Sequence, residues 1–253
     1  MRAVVFAGRN AKELLRDPIS YIFCLGFPLV MLAIMTVLNE NIPTEANMVI
    51  FRIDYLSSGI AVFGLTFVML FTCLQIAKDR SSAFLLRLYA SPMTAAEFII
   101  GYILPILVIA VLQSVITYAV SVIIGAVTGY SFVIGRMLLA LMVLLPADFL
   151  FIGFGLLFGT VFSEKAAPGL CSVIISVSAM LGGIWMDVGS LSGGFKRICE
   201  ALPFYHMVEA ARGVVRGELS GLAPHMLIVM AYTVVVFIVS VFLLAKKRQQ
   251  DLR

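Results

Sequence analysis

Six apolar runs of about 20 residues or more divide this 253-residue chain. They cover residues 19–38, 57–77, 98–127, 137–162, 166–186 and 226–245. A hydrocarbon core of about 30 Å needs roughly 20 helical residues at about 1.5 Å each, so each run is long enough to cross a bilayer. Continuous runs favour helices over barrel strands, whose apolar residues would alternate. The sequence therefore predicts an all-α, polytopic membrane protein with six transmembrane helices in one domain, residues 1–253.

The overall composition agrees with this class and argues against two others. Hydrophobic residues make up 62% of the chain and charged residues 13%, which is too apolar for a soluble domain of this length. The formal charge of +4 could suggest a nucleic-acid partner. The lysines and arginines cluster at the edges of the apolar runs, however, so membrane topology explains them and we expect no nucleic acid to bind.

The distribution of basic residues predicts the topology. Three segments are rich in lysine and arginine: residues 2–16, the loop after the second run, and the C-terminal tail. The loops at 39–56 and around Gly129 carry one arginine each. The positive-inside rule then places both termini and residues 78–97 in the cytoplasm. The segment 187–224 lies outside and carries four basic residues, which weakens this bias without reversing it.

Residues 1–18 predict an amphipathic helix that lies on the inner membrane surface. Apolar residues such as Val4, Ala11 and Leu15 fall on one face, and basic residues such as Arg9 and Lys12 fall on the other. The basic face would meet anionic lipid headgroups. A plain topology anchor would show the same charges, so both interpretations stay open.

The charged segment 78–97 separates the second and third apolar runs. Residues 81–90 predict a short amphipathic helix, and Pro92 cannot continue it. Thr94 and Glu97 have the spacing of a capping box, which would begin the next helix. The segment therefore predicts a helix, a break and a second helix.

Polar residues inside the apolar runs are candidates for a substrate path. Gln113, Thr117 and Ser121 recur every fourth residue, a pattern that could line a path but more often makes hydrogen bonds between helices. Asp148 is the one carboxylate deep inside a run. A buried acid can mark a cation or proton site, or it can serve as a structural partner. The second role is favoured because no other charged group lies mid-helix.

The external segment 187–224 is too polar to span a bilayer and too apolar for a free loop. Residues 195–202 and 204–215 predict two short amphipathic helices, broken at Pro203, in a re-entrant or interfacial position. Glu209 can pair with Arg212 or Arg216, and we expect a solvated or interfacial pair of little energetic value. His206 has no second ligand at metal spacing, so we expect a structural role and no metal site.

Motifs for catalysis are absent from the sequence. It contains no G-x-x-x-x-G-K-[ST] phosphate loop, no G-x-S-x-G elbow and no H-E-x-x-H pair. We therefore expect no catalytic residue and no cofactor in this chain. An energy source, if one is used, has to lie in another subunit.

Three short segments together resemble ABC-2 type transporter permeases, most closely those of bacterial drug and antibiotic exporters. They are the Leu-Arg-Asp-Pro end of the N-terminal helix, the Leu-Tyr-Ala-Ser-Pro-Met run at 88–93 followed by Glu97 and Gly101, and Leu-Pro-Phe-Tyr-His at 202–206. The resemblance covers nearly the whole chain, and the middle run carries most of it.

This resemblance implies a function and a set of partners. The chain would be the permease of an efflux system in the bacterial cytoplasmic membrane, paired with a second copy or a homologue and embedded in membrane lipids. A separate ABC ATP-binding subunit would hold ATP and Mg²⁺, and the substrate would be a small amphiphile or drug. The coupling helix between membrane helices 2 and 3 would contact that subunit through Arg80, Phe84, Leu85, Leu88, Tyr89, Ser91 and Pro92.

Two alternatives stay open at this stage. The chain could export a lipid-linked or polysaccharide substrate, or it could be a membrane scaffold or sensor that docks an ATPase without transport.

Overall fold

The computed structural model describes residues 2–43, 49–82 and 93–251, and these residues contain helices and no strand. Nine helices and one short 3-10 helix, Val49–Phe51, lie within the described ranges, and we number the nine in chain order. They are α1 (Arg2–Leu15), α2 (Pro18–Asn41), α3 (Ile53–Ser81), α4 (Ala95–Thr128), α5 (Ile134–Val161), α6 (Ala167–Leu181), α7 (Gly193–Ala201), α8 (Pro203–Arg216) and α9 (Leu222–Asp251).

Five of these helices, α2, α3, α4, α5 and α9, are long and apolar enough to cross a membrane. The fifth predicted run, 166–186, forms only the 15-residue helix α6. At about 1.5 Å per residue, α6 is roughly 22 Å long, which is shorter than a hydrocarbon core of about 30 Å. The helix ends where Gly182 and Gly183 follow, and Gly183 has a φ of +74°. The chain is thus a multi-pass helical protein, and the predicted count of six spans is not confirmed.

Helix α3 is the centre of the bundle. Most of its side chains are buried, because α2, α4, α5, α6 and α8 all pack around it. Two glycines of α5 allow its backbone to approach the backbone of α3 closely. A Cβ on Gly155 would lie 2.7 Å from the Met69 carbonyl oxygen, and one on Gly159 would lie 2.7 Å from that of Cys73. The Gly-x-x-x-Gly spacing therefore serves as the close-packing surface between α3 and α5.

Helix α2 contains a turn of π-helix at Ile22–Gly26. The Phe27 amide donates to the Ile22 carbonyl, five residues back, just before Pro28 interrupts the hydrogen-bond ladder. Wide turns of this kind occur where a proline perturbs a helix. Gly26 and Pro28 therefore lie at an irregular turn of α2.

Contacts at one end of the bundle bring together the end of α5 and three basic segments that are distant in sequence, namely α1 and the ends of α3 and α9. Arg80 at the end of α3 donates to the carbonyl oxygens of Thr160 and, at 2.6 Å, Phe162 at the end of α5. Lys247 of α9 donates to the Thr160 carbonyl at 2.8 Å. Helix α1 joins the same end through Asp79. These are the segments whose charge predicts a cytoplasmic position, and the side of the membrane that they face stays a prediction.

Two short helices, α7 and α8, lie toward the opposite end, close to the bounds predicted from sequence. Pro203 is the first residue of α8, a position where the missing amide hydrogen costs nothing. The buried face of α8 packs against α3, α5 and α9. A re-entrant position in the membrane stays a prediction for both helices.

Candidate coupling site

The predicted coupling segment is described only at its two flanks. Residues 83–92, which include Phe84, Leu85, Leu88, Tyr89, Ser91 and Pro92, lie outside the described residues. The first flank is the end of α3, where Asp79 and Arg80 lie, and the second is the start of α4. The arrangement of these flanks shows what the intervening segment is attached to.

Asp79 is the buried anchor of the first flank. Its carboxylate accepts two hydrogen bonds from the Arg9 guanidinium of α1, at 2.8 and 2.9 Å, and one from the Tyr102 hydroxyl of α4, at 2.6 Å. Bidentate pairs of this kind are among the stronger polar contacts in proteins. Burial by itself would lower the pKa of Arg9, but the hydrogen bonds and charge of Asp79 outweigh it and raise the pKa. Arg9 therefore stays charged in this site.

A second polar contact joins α1 to the other flank. Asn10 is fully buried, and its Nδ2 donates to the Gly101 carbonyl of α4 at 3.0 Å. Four residues later, Pro105 has no amide hydrogen, so it cannot make the usual helical bond to Gly101. Asn10 thus supplies the donor that Pro105 lacks, and α1 is joined to α4 at the point where the helical ladder is open.

Aromatic rings also pack against each other where α1 contacts α4. The Phe6 ring stacks on Phe98 at 5.6 Å between centroids and meets the Tyr102 ring edge-on at 5.0 Å. Gly101 lies beneath Phe6, and a Cβ at this position would overlap the ring. Since α1 contacts the end of α3 and the start of α4 together, it bridges the two flanks of residues 83–92.

The flanks are further held by contacts of their own. The Arg80 guanidinium lies on the carbonyls at the end of α5, an arrangement that favours a cation at a helix C-terminus. Ser81 donates to the Glu164 carboxylate at 2.9 Å, in the turn between α5 and α6. At the second flank, the Glu97 amide donates to Thr94 Oγ1 at 3.2 Å and the Thr94 amide donates to Glu97 at 2.9 Å. The predicted capping box is confirmed.

No single hydrogen-bond network among the described residues joins the three residues predicted to line a substrate path. Gln113 Nε2 donates to Thr117 Oγ1 at 3.1 Å, and both are buried, with the Gln113 amide lying against Gly64 of α3. This places the polar stripe in the contact between α4 and α3. Asp148 of α5 is also buried, and its Oδ1 has no hydrogen-bond partner among the described residues. No described hydrogen bond joins Asp148 to Gln113 or Thr117.

Arg212 is a buried cation whose role the sequence did not reveal. It donates to the carbonyls of Tyr55 and Gly183 at 3.1 and 2.9 Å and to Glu209 at 3.0 Å. Burial lowers the pKa of Arg212, and the charge of Glu209 opposes that shift. The expectation of a solvated pair is wrong for Arg212, because α8 packs its inner face against α3 and the end of α6. The spacing of Glu209 and Arg212 indicated the pair, but no local pattern indicated its burial.

The two histidines of the chain meet near the same end. The rings of His206 in α8 and His225 in α9 face each other with 2.6 Å between their Nδ1 atoms. His206 Nε2 lies 2.7 Å from the Glu200 carbonyl oxygen, which can only accept, so this nitrogen carries a hydrogen. The pair links α7, α8 and α9, in keeping with the structural role expected for His206.

Comparison with models of protein families assigns this chain to a family. The family model described as "ABC-2 type transporter" matches residues 3–215, which is most of the chain. A search of curated protein sequences finds no match to this chain. The matched range includes α1, both flanks of residues 83–92 and the helices α7 and α8. Members of this family are the membrane components of ABC transporters and work with an ATP-binding subunit. The chain therefore belongs to the ABC-2 type transporter family.

Proposed function

We propose that this chain is the permease subunit of an ATP-driven exporter that moves a small amphiphilic or drug-like substrate out across the bacterial cytoplasmic membrane. It would pair with a second copy or a homologue and dock a separate subunit that binds ATP and Mg²⁺. Family membership supports the permease role. The direction of transport, the class of substrate and the pairing of two permeases are further parts of this proposal.

The observation that carries the coupling part of this proposal is the attachment of α1 to both flanks of residues 83–92. Arg9 binds Asp79 on one flank, and Asn10 binds Gly101 on the other. A segment that transmits a displacement has to be rigid where it joins the membrane helices. We therefore assign residues 78–97 as the coupling element and α1 as its support.

Within this element, the apolar side chains would dock on the ATP-binding subunit. On helical spacing, Phe84, Leu85, Leu88 and Tyr89 would form this contact face. Ser91 and Pro92 would turn the chain back toward α4. Arg80 would hold the base of the element, since its guanidinium binds the carbonyls at the end of α5.

Three buried polar residues are assigned to the substrate path. Gln113 and Thr117 face α3 and would line a path only if α3 and α4 separate during transport. Asp148 is a buried carboxylate without a described partner, and a cationic group on a substrate would satisfy it. An Asp148→Asn variant with unchanged transport of cationic and neutral substrates would remove this role.

The docking assignment is tested by placing a charge on the contact face. We expect Leu88→Asp to abolish copurification with an ATP-binding subunit encoded beside this chain, because an unpaired charge is costly in an apolar contact. Membrane insertion should be unchanged. Arg87→Asp places the same carboxylate beside the apolar face of the predicted helix, about 100° around the axis from Leu88, and should leave the complex intact.

The Leu88→Asp experiment decides whether this face binds the ATP-binding subunit. A Leu88→Asp complex that survives with full ATPase activity would show that this face does not bind the subunit. ATP-dependent movement of substrate into inverted membrane vesicles separates a transporter from a scaffold that binds the same ATPase.

A further inference from the structure

A cavity of about 550 Å³ lies where α1, the start of α2 and the end of α3 meet, beside the turn between α5 and α6. Helices α2 and α3 are both long and apolar enough to span a membrane, and the cavity lies at the ends of both. Ile19, one of the lining residues, is 58% exposed, so the cavity adjoins surface that a bilayer would cover. The cavity is therefore placed where a spanning helix leaves the hydrocarbon core and meets lipid headgroups.

The face of α3 that lines this cavity changes from apolar to charged along the helix. Phe71 and Leu74 lie furthest into the span, Gln75 follows, and Lys78 lies near the helix end. The last three residues are three, four and seven positions after Phe71, so all four share one face, which is about 10 Å long. An amphiphile aligned with this face would have its hydrocarbon against Phe71 and Leu74 and its polar end against Lys78.

The Gln75 side-chain amide lacks hydrogen-bond partners. Its Nε2 and Oε1 are both buried, and neither bonds to any residue in the part of the chain that the structure describes. A buried amide of this kind is costly, because it has lost the hydrogen bonds that water would make. Gln75 lines the cavity, so a change of rotamer would present the amide to a ligand there. The ester oxygens of a phospholipid lie between its acyl chains and its headgroup, and they would accept from Nε2.

Four charged residues of the lining have no ion-pair partner within the described ranges. Two are cations, Arg16 and Lys78, and two are carboxylates, Asp17 and Glu164. Asp17 and Glu164 accept hydrogen bonds from uncharged donors only. The other carboxylates of the lining are those already paired with Arg9. The unpaired charges are thus equal in number and opposite in sign, which favours a zwitterion over an anion or a cation.

We propose that this cavity binds one phosphatidylethanolamine of the adjoining leaflet. Arg16 and Lys78 hold its phosphate, Asp17 and Glu164 hold its ammonium, and Gln75 donates to an ester oxygen. A primary ammonium offers three N–H donors to the carboxylates, whereas the trimethylammonium of phosphatidylcholine offers none. The inference concerns lipid binding alone and rests on no part of the proposed transport function.

The proposal is tested by counting lipids on the purified chain in native mass spectrometry. Phosphatidylethanolamine, phosphatidylglycerol and phosphatidylcholine with identical acyl chains are the three probes, supplied in equal amounts. We expect one phosphatidylethanolamine to be retained in preference to both others. Phosphatidylglycerol has the phosphate without the ammonium, and phosphatidylcholine has both charges without the N–H donors.

Three variants should change the selectivity in different ways. Lys78→Gln removes a phosphate contact, so it should weaken phosphatidylethanolamine and phosphatidylglycerol alike, by about fivefold. Glu164→Gln removes an ammonium contact, so it should weaken phosphatidylethanolamine alone and reduce its preference over phosphatidylglycerol. Gln75→Leu removes a hydrogen bond to a group that all three lipids share, so it should weaken all three alike, by about fivefold.

Two matched variants control for the loss of a charge elsewhere. Lys246→Gln removes an exposed lysine from α9, and Glu40→Gln removes an exposed carboxylate from α2, and neither residue lines the cavity. Both should bind phosphatidylethanolamine as the unmodified chain does. Lys78 and Glu164 are exposed, so their variants test the site even if Gln75→Leu does not fold.

Three results would overturn the proposal. Retention of phosphatidylglycerol as strongly as phosphatidylethanolamine would remove the role of the carboxylates. Equal binding by Lys78→Gln and Lys246→Gln would show that the phosphate lies elsewhere. A purified chain that retains none of the three lipids would mean that water fills the cavity.

Discussion

Asp79 shows how one residue can join three helices. Its position near the end of α3, between Lys78 and Arg80, suggests a solvated charge, yet the carboxylate is buried and receives three hydrogen bonds. Burial of a charged carboxylate is costly unless it is paired, and Arg9 and Tyr102 supply the partners of Asp79. The contact is therefore a set of interdependent groups, which a double-mutant cycle can measure.

We expect Arg9→Gln and Asp79→Asn each to lower the thermal stability of the purified protein. The double variant should lose less than the sum of the two, with a coupling free energy of about 1 to 3 kcal/mol. Arg197→Gln, an exposed arginine of α7, is the control and should change little. Strict additivity of Arg9→Gln and Asp79→Asn would contradict the contact.

Arg212 makes a second prediction at this scale, with Arg216 as its matched neighbour. Arg212→Met leaves Glu209 and two carbonyls without their donor in a buried site, so we expect a loss of about 3 kcal/mol or more. Arg216 is more exposed and pairs with the exposed Glu218, so Arg216→Met should cost about 1 kcal/mol or less. Equal shifts in melting temperature for the two variants would argue against this difference.

At the scale of elements, α1 is part of the bundle and not only a surface anchor. An interfacial helix is held by lipid alone, whereas α1 buries Phe6, Ala7, Asn10 and Leu14 against the protein. The attachment of α1 depends on an irregularity in α4, since Pro105 leaves the Gly101 carbonyl without its helical donor. Two irregularities in separate helices thus compensate each other.

This compensation can be tested by repairing the helix. Asn10→Ala should destabilise the protein by about 1 to 2 kcal/mol, because the Gly101 carbonyl loses its donor. In a Pro105→Ala background the amide of residue 105 can donate to that carbonyl, and Asn10→Ala should then cost less. Thermal melts of the four proteins measure the difference. An equal cost of Asn10→Ala in both backgrounds would mean that Asn10 acts through packing alone.

At the scale of the whole molecule, polar contacts are grouped at the two ends of the bundle. One end holds α1, both flanks of residues 83–92 and the carbonyls that bind Arg80 and Lys247. The other holds Arg212 and the histidine pair, which tie α7 and α8 to α3 and α9. Helix α3 runs between the two ends and packs against five of the other helices.

If α1 supports the coupling element, weakening its contacts should separate ATP hydrolysis from transport. We expect the Asn10→Ala, Asp79→Asn double variant to bind the ATP-binding subunit and to retain basal ATPase activity. Its ATP-dependent transport into vesicles should fall by about tenfold. Asn41→Ala, which removes an exposed amide of α2, is the control. A parallel fall in binding, hydrolysis and transport would instead indicate simple loss of structure.

The sequence by itself determined the helical membrane class, the approximate bounds of the long helices and the capping box at Thr94. Each of these depends on short-range terms: apolar run length against bilayer thickness, and hydrogen bonds between residues three apart. The positions of α7 and α8 followed in the same way from Pro203 and from amphipathic spacing. The family resemblance rested on equally local runs, and the family match agrees with it.

Only the tertiary structure decided which polar residues are buried and what they bind. Asp79 and Arg212 carry local patterns of solvated charges, but their partners Arg9 and Gly183 lie 70 and 29 residues away along the chain. The same holds for the match between Asn10 and Pro105. Burial and pairing depend on how helices pack, and no local pattern in a sequence records which carbonyl another helix will bring within reach.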